Sequence, residues 1–154
     1  MHRRPAAPAH LSDLSDPPLA GRVLYIEDEP VCVELVRGML ARFPQVELLH
    51  AASGLAGVAL ARSARPALVL LDMNLPDIGG VEVVRQLNAD IAERGLRVAI
   101  LTGDQLNMDI IKAMSLGAFE YWIKPLARQP FEAGLRRALT GRRPDPACTL
   151  ASCR

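Results

Sequence analysis

Residues 67–72 read Ala-Leu-Val-Leu-Leu-Asp, five apolar residues in succession stopped by one acid. A short apolar run without polar alternation suits a strand covered on both faces, as in a parallel sheet. Working outward, four more short, mostly apolar runs follow. Val23-Leu24-Tyr25-Ile26 stops at Glu27-Asp28-Glu29, Arg97-Val98-Ala99-Ile100-Leu101 stops at Thr102-Gly103-Asp104, and Phe119-Glu120-Tyr121-Trp122-Ile123 stops at Lys124-Pro125. Val46-Glu47-Leu48-Leu49 completes the set.

The segments between them have helical spacing. Residues 30–42 place Val31, Leu35, Met39 and Leu40 at helical intervals behind Pro30, a favoured first-turn residue. Ser53 is a natural cap for a helix reaching residue 64. A third helix is predicted over 80–93, with Val81, Val84, Leu87 and Ile91 on one side. A fourth covers 106–116 and ends before Gly117, and a fifth covers 128–139. Five strands alternating with five helices give right-handed βαβ crossovers: an α/β fold, doubly wound around a five-stranded parallel sheet.

Length and composition agree with one domain. The chain has 154 residues, 50% hydrophobic and 23% charged, enough to bury a core but not to build a second folded unit. Residues 1–20, with Pro5, Pro8, Pro17 and Pro18, read as a flexible N-terminal extension. Residues 141–154 read as a flexible basic tail, which suits an acidic or nucleic-acid partner but reads first as a solvated end. The formal net charge of +1 gives no general pull toward nucleic acid or anionic membrane. No apolar run approaches a bilayer span and the N-terminus has no apolar signal core, so a cytoplasmic location is expected. Cys32, Cys148 and Cys153 have neither disulfide-framework nor zinc spacing, and His2, His10 and His50 read as surface or tail residues.

In parallel α/β sheets, ligands bind beyond the carboxyl ends of the strands. Here those ends carry Glu27 and Asp28, Asp72, Thr102 and Lys124. Each signal alone is an ordinary turn; four strand ends in order with complementary chemistry are not. Clustered carboxylates repel unless a cation neutralises them, and Mg²⁺ suits few carboxylates, carbonyl oxygen, water and phosphate. Lys and Thr offer charge and a hydroxyl for phosphoryl oxygens. The rim reads as a site for Mg²⁺-assisted phosphoryl transfer to a carboxylate, with Asp72 as nucleophile.

Four motifs, YIEDEP (25–30), LLDMNLPDIGG (70–80), LTGD (101–104) and YWIKP (121–125), resemble those of the receiver domains of two-component response regulators over residues 21–140. The resemblance implies a flavodoxin-like (βα)5 fold with strand order 2-1-3-4-5, and Asp72 as phosphoacceptor. It implies that Asp28 binds Mg²⁺ directly, Glu27 through water, and the Met73 backbone carbonyl as a third protein ligand. Thr102 and Lys124 match the phosphate-sensing pair, Tyr121 the aromatic switch, and Pro125 a proline whose preceding peptide is usually cis. Gly103 departs from the usual small side chain there, and Trp122, on the side opposite Tyr121, reads as core under the fifth helix.

The implied function is that of a phosphoprotein in signal transduction. It takes a phosphoryl group from a histidine kinase or histidine phosphotransfer protein, and it is no enzyme beyond its own phosphorylation and dephosphorylation. The surface of the fourth helix, fifth strand and fifth helix would change on phosphorylation. Asn74 and Asp104 flank the path of a hydrolytic water. The tail is too short for a DNA-binding domain, so either output runs through a partner protein or the chain is a fragment of something longer, and the same surface could serve a homodimer. The alternative is a Mg²⁺-dependent phosphatase working through an aspartyl phosphate. It would want a second Asp two residues after the nucleophile, where Asn74 stands, and a cap domain. A flavodoxin-like electron carrier lacks its phosphate loop here, since Glu27-Asp28-Glu29 would repel FMN phosphate.

Overall fold

The structure, a computed structural model, describes residues 18–103 and 105–140; the chain before Pro18, Asp104 and the chain after Thr140 lie outside them. With Asp104 and the tail, His2, His10, Cys148 and Cys153 also fall outside the described residues. The strands are β1 (Ala20–Ile26), β2 (Gln45–Ala51), β3 (Leu68–Asp72), β4 (Arg97–Thr102) and β5 (Glu120–Ile123). All pair in parallel in the order β2-β1-β3-β4-β5, the order the resemblance implies. The chain runs from β1 out to β2 and then back past β1 to β3, so the topological switch lies between β1 and β3. Folded structure begins slightly before the predicted boundary: Ala20 opens β1, and Leu19 is 4% exposed against the core.

Alternation along the strands builds two cores. Leu24, Ile26, Val69, Leu71, Val98 and Ile100 face helices α2 (Gly54–Ala64), α3 (Gly80–Gln86), α4 (Asn88–Arg94) and α5 (Met108–Ser115). Val23, Tyr25, Leu68, Leu70, Ala99 and Leu101 face α1 (Pro30–Leu40) and α6 (Arg128–Leu139). All five residues of β3 are buried, as its unbroken apolar run predicts. Trp122 packs edge-on against Phe131 of α6, with ring centroids 5.8 Å apart, and lies over Gly134 of that helix, where a Cβ would overlap the indole.

One helix differs from its predicted form. Residues 80–93 make two helices, α3 and α4, separated at Leu87 with φ −92° and ψ 4°. A side chain of α2 meets the chain at this break. Arg62 Nη2 donates to the Gln86 carbonyl at 2.8 Å, occupying an acceptor that a continuous helix would give to residue 90, and Arg62 Nε lies 3.7 Å from Asp90. Two other arginines act alike at the amino-terminal end of the sheet. Arg22 Nη1 donates to the Ala64 carbonyl and Arg97 Nη1 to the Ala138 carbonyl, each at 2.7 Å. Asn88 Nδ2 donates to Leu116 O at 2.7 Å. Side chains from neighbouring elements thus satisfy the last carbonyls of four helices, where cations also complement the helix dipole.

Two helical glycines differ in what surrounds them. Gly57 of α2 lies against Ile26, and a Cβ there would overlap the isoleucine side chain, whereas Gly38 of α1 has no neighbour within 4 Å of such an atom. Gly38→Ala should stabilise the chain by about 0.5–1 kcal/mol through helix propensity. Gly57→Ala should destabilise it by about 1–3 kcal/mol through overpacking. Urea unfolding of both variants checks the pair; equal effects would mean that α2 does not sit this close to β1.

Candidate functional site

The strands end together at the rim that the sequence marks. Asp72 is the last residue of β3 and Thr102 the last of β4; Glu27 and Lys124 follow β1 and β5 directly. Glu27 is 1% exposed, Asp72 7% and Thr102 3%, and they are the buried polar side chains among the described residues. Asp28 is exposed beside them. Carboxylate oxygens of Glu27, Asp28 and Asp72 lie within 4.8 Å of one another.

Lys124 reaches across from β5. Its Nζ is 2.9 Å from Glu27 Oε1 and 3.4 Å from Asp72 Oδ1. Its backbone N–H donates to Thr102 O at 2.7 Å, fixing the end of β5 to that of β4, and the Lys124–Pro125 peptide is cis, as the resemblance implies. Glu27 also accepts from Tyr25 Oη at 2.8 Å and from the Glu29 N–H at 3.3 Å. His50, expected on the surface, is exposed, and its Nε2 lies 2.7 Å from the Glu27 carbonyl, joining the ends of β1 and β2.

The charges respond to this crowding. Burial pushes Asp72 up to about 6; Lys124 opposes the shift and the Glu27 charge adds to it. Burial acts on Glu27 in the same sense but is outweighed by hydrogen bonds from Lys124 and Tyr25, which hold it below the ordinary carboxylate range. For Lys124, burial works against the charged form, and Glu27 and Asp72 outweigh it, so its pKa is raised. Burial and the bond to Glu27 keep the Tyr25 phenol protonated well above its ordinary range.

This donor set fits a hard divalent cation. Three carboxylates and one ammonium leave net negative charge, two of the acids are anchored, and one faces water. The Met73 carbonyl, the expected backbone ligand, accepts the Gly80 N–H at 3.1 Å at the start of α3. Asn74 follows Met73 on this loop; Asp104 lies outside the described residues. Tyr121 is half-buried and packs into the α2–α5 core. It pairs with Ile100, two residues before Thr102, which puts it on the same sheet face as Thr102.

Sequence reading passed over two residues that shape this rim. In sequence Tyr25 is one residue of a strand and the first of the YIEDEP motif. Asp77, in the loop after Asp72, accepts the Gly54 and Leu55 N–H groups at 2.8 Å each, and these two bonds hold its carboxyl down to about 2. Ser53 caps α2 as predicted, taking the Ala56 N–H at 3.2 Å, and Asp77 takes the two donors that Ser53 leaves. The loop that follows Asp72 is therefore tied to α2. The detectable signal was the shortage of acceptors for that helix start.

The fold and its rim define a flavodoxin-like α/β domain with a carboxylate pocket at the switch point. The model of the response regulator receiver domain matches residues 23–136, and the chain belongs to that family, the receivers of two-component systems. TcrX of Mycobacterium tuberculosis, a probable transcriptional regulatory protein, is 34% identical over 117 residues, 76% of this chain and 49% of TcrX. The chain thus spans about half the length of TcrX. PilH of Pseudomonas aeruginosa is 30% identical over 120 residues, 78% of this chain and 98% of PilH. The receiver domain of the sensor histidine kinase PA1611 from Pseudomonas aeruginosa was solved with a magnesium ion coordinated in its active site cleft. It matches with a TM-score of 0.70 at 26% identity, covering 79% of this chain and 99% of that one. No helix among the described residues is long and apolar enough to cross a membrane.

The raised pKa of Asp72 has a consequence for stability. Between the unfolded value near 4 and about 6, the folded chain holds the extra proton, so stability falls as pH rises through this window and stays lower above it. Asp72→Asn removes that penalty. Without divalent cations, the variant should be about 2–3 kcal/mol more stable than the parent at pH 8 and only about 1 kcal/mol more stable at pH 4.5. Denaturant unfolding at the two pH values checks this; a less stable variant at pH 8 would contradict it.

Proposed function

We propose that this domain accepts a phosphoryl group on Asp72 from a phosphohistidine donor, a histidine kinase or histidine phosphotransfer protein, and signals through the change that follows. The observation that carries the proposal is the setting of Asp72: 7% exposed, beside the Lys124 ammonium, with the oxygens of Glu27 and Asp28 within 4.8 Å. A carboxylate drawn from water and flanked by one fixed cation is positioned to attack phosphorus. Its oxygen forms the new P–O bond while the P–N bond of the donor breaks; the imidazole nitrogen keeps the electron pair and takes up a proton. Lys124 and the Thr102 hydroxyl supply donors for the phosphoryl oxygens.

A Mg²⁺ ion bound at this rim would supply positive charge against the carboxylates and the entering phosphoryl oxygens. Asp28, exposed and close to Asp72, is the direct ligand, and Glu27, already holding Lys124 and Tyr25, acts through water. The Met73 carbonyl accepts the Gly80 N–H at 3.1 Å, so the next carbonyl along the loop, that of Asn74, is the backbone ligand proposed in its place. The Asn74 side chain, with Asp104, admits the water that later hydrolyses the aspartyl phosphate.

Output runs through Thr102 and Tyr121 to the surface of α5, β5 and α6. Leu106, Met108, Ile111 and Ile123 are 55%, 66%, 43% and 49% exposed there, an apolar set suited to a partner protein or a second copy of this chain. Val31 and Leu35 on the outer side of α1 are likewise exposed at 78% and 51% and suit the phosphoryl donor, since α1 starts beside the acids.

Acetyl phosphate with Mg²⁺ tests the reading without the cognate donor. Intact mass should gain one phosphoryl group, acetate leaving, and Asp72→Asn should gain none. An Asn variant phosphorylated at the parent rate, or a parent that takes up no phosphoryl group, sinks it.

A further inference from the structure

The receiver reading leaves Tyr25 without a task. This tyrosine is 1% exposed and stands two residues before Glu27, so strand alternation brings the two side chains to one face. Its hydroxyl donates to Glu27 Oε1 at 2.8 Å, the same oxygen that accepts Lys124 Nζ at 2.9 Å. The other oxygen, Oε2, accepts the longer 3.3 Å bond from the Glu29 N–H. Lys124 therefore sits closer to Glu27 than to Asp72, at 3.4 Å. Packing alone would be served by phenylalanine, which brings no hydroxyl that must find a partner in the core.

A phosphoryl group on Asp72 adds charge of about −1.5 to −2 beside Lys124 and draws the ammonium toward itself. Glu27 then loses its closest cation while remaining buried, and a buried carboxylate without compensation is costly. The Tyr25 hydroxyl stays on the shared oxygen and offsets that loss.

We infer that Tyr25 is a positioning residue whose hydroxyl holds Glu27 while Lys124 shifts from the Glu27 oxygen to the phosphoryl group on Asp72. This rests on the receiver reading and adds to it a coupled exchange at one oxygen. Tyr25 never touches the phosphoryl group; it acts through Glu27.

A double-mutant cycle separates this role from packing. Phosphorylation by acetyl phosphate with Mg²⁺ is followed by intact mass for the parent, Tyr25→Phe, Glu27→Gln and the double variant. Tyr25→Phe should slow uptake about fivefold, the effect of one lost hydrogen bond, and should add nothing in the Glu27→Gln background. A rate within twofold of the parent, or a full further loss in the double variant, overturns the inference. If Tyr25→Phe fails to fold, the unaltered protein still decides, because its only lysines are Lys112 and Lys124 and its only tyrosines Tyr25 and Tyr121. Isotope-labelled lysine and tyrosine then give two resolvable NMR signals each. Magnesium with beryllofluoride, a phosphoryl mimic, should move the Lys124 ammonium and the Tyr25 ring carbon bearing the hydroxyl together. A Tyr25 signal that stays still while Lys124 moves overturns the inference. A parent that takes up no phosphoryl group brings down the receiver reading itself, and the inference with it, whereas normal uptake with an unaffected Tyr25→Phe brings down the inference alone.

Discussion

The Lys124 ammonium is shared between two carboxylates that water barely reaches, and the rest of the rim follows from that shortage of positive charge. Glu27 and Asp72 are both more than nine-tenths buried, and Asp28 stands next to them. Two like charges about 4 Å apart repel by about 4 kcal/mol at the effective dielectric of a protein surface, so one cation cannot settle three acids. Glu27 takes the larger share of Lys124, helped by Tyr25, and keeps its charge. Asp72 is left under-compensated and holds its proton more tightly. A group in that condition gains from any further cation, which is the physical basis for reading the rim as a metal-assisted phosphoryl acceptor.

The fold keeps this excess of negative charge at one end. At the other end of the sheet, Arg22, Arg62 and Arg97 bond the last carbonyls of α2, α3 and α6. These arginines have a structural task and are not available to the acids. Nearly all the basic charge of the chain is arginine, suited to reaching carbonyls with a fixed fork of donors. Lys112 and Lys124 are the two lysines, and Lys124 is the one at the rim, a flexible ammonium that can be held by one oxygen and drawn to another.

Most of the frame could be read from sequence because its signals are local. Short apolar runs, two of them interrupted by one Glu, marked five strands, acids and Lys124 marked strand ends, and Pro30, Ser53 and Gly117 marked helix limits. What escaped depends on contacts between distant segments. The break at Leu87 coincides with Arg62 bonding the Gln86 carbonyl, and the anchoring of the β3–α3 loop comes from Asp77 at the start of α2. The Met73 carbonyl could not be assigned from residue type at all, since a backbone oxygen carries no side-chain signal; its bond to Gly80 appears only in the fold. Tyr25 was hidden by its neighbours, because a tyrosine within an apolar strand looks like core until its hydroxyl is seen on Glu27.

The central claim, that the three carboxylates form one cation pocket around Asp72, is tested most directly by diffraction from crystals soaked in manganese chloride. An anomalous peak about 2.1 Å from carboxylate oxygens of Asp28 and Asp72, with Lys124 still on Glu27, is the result this account expects. A peak elsewhere on the molecule with none at this rim, at millimolar metal, would contradict it.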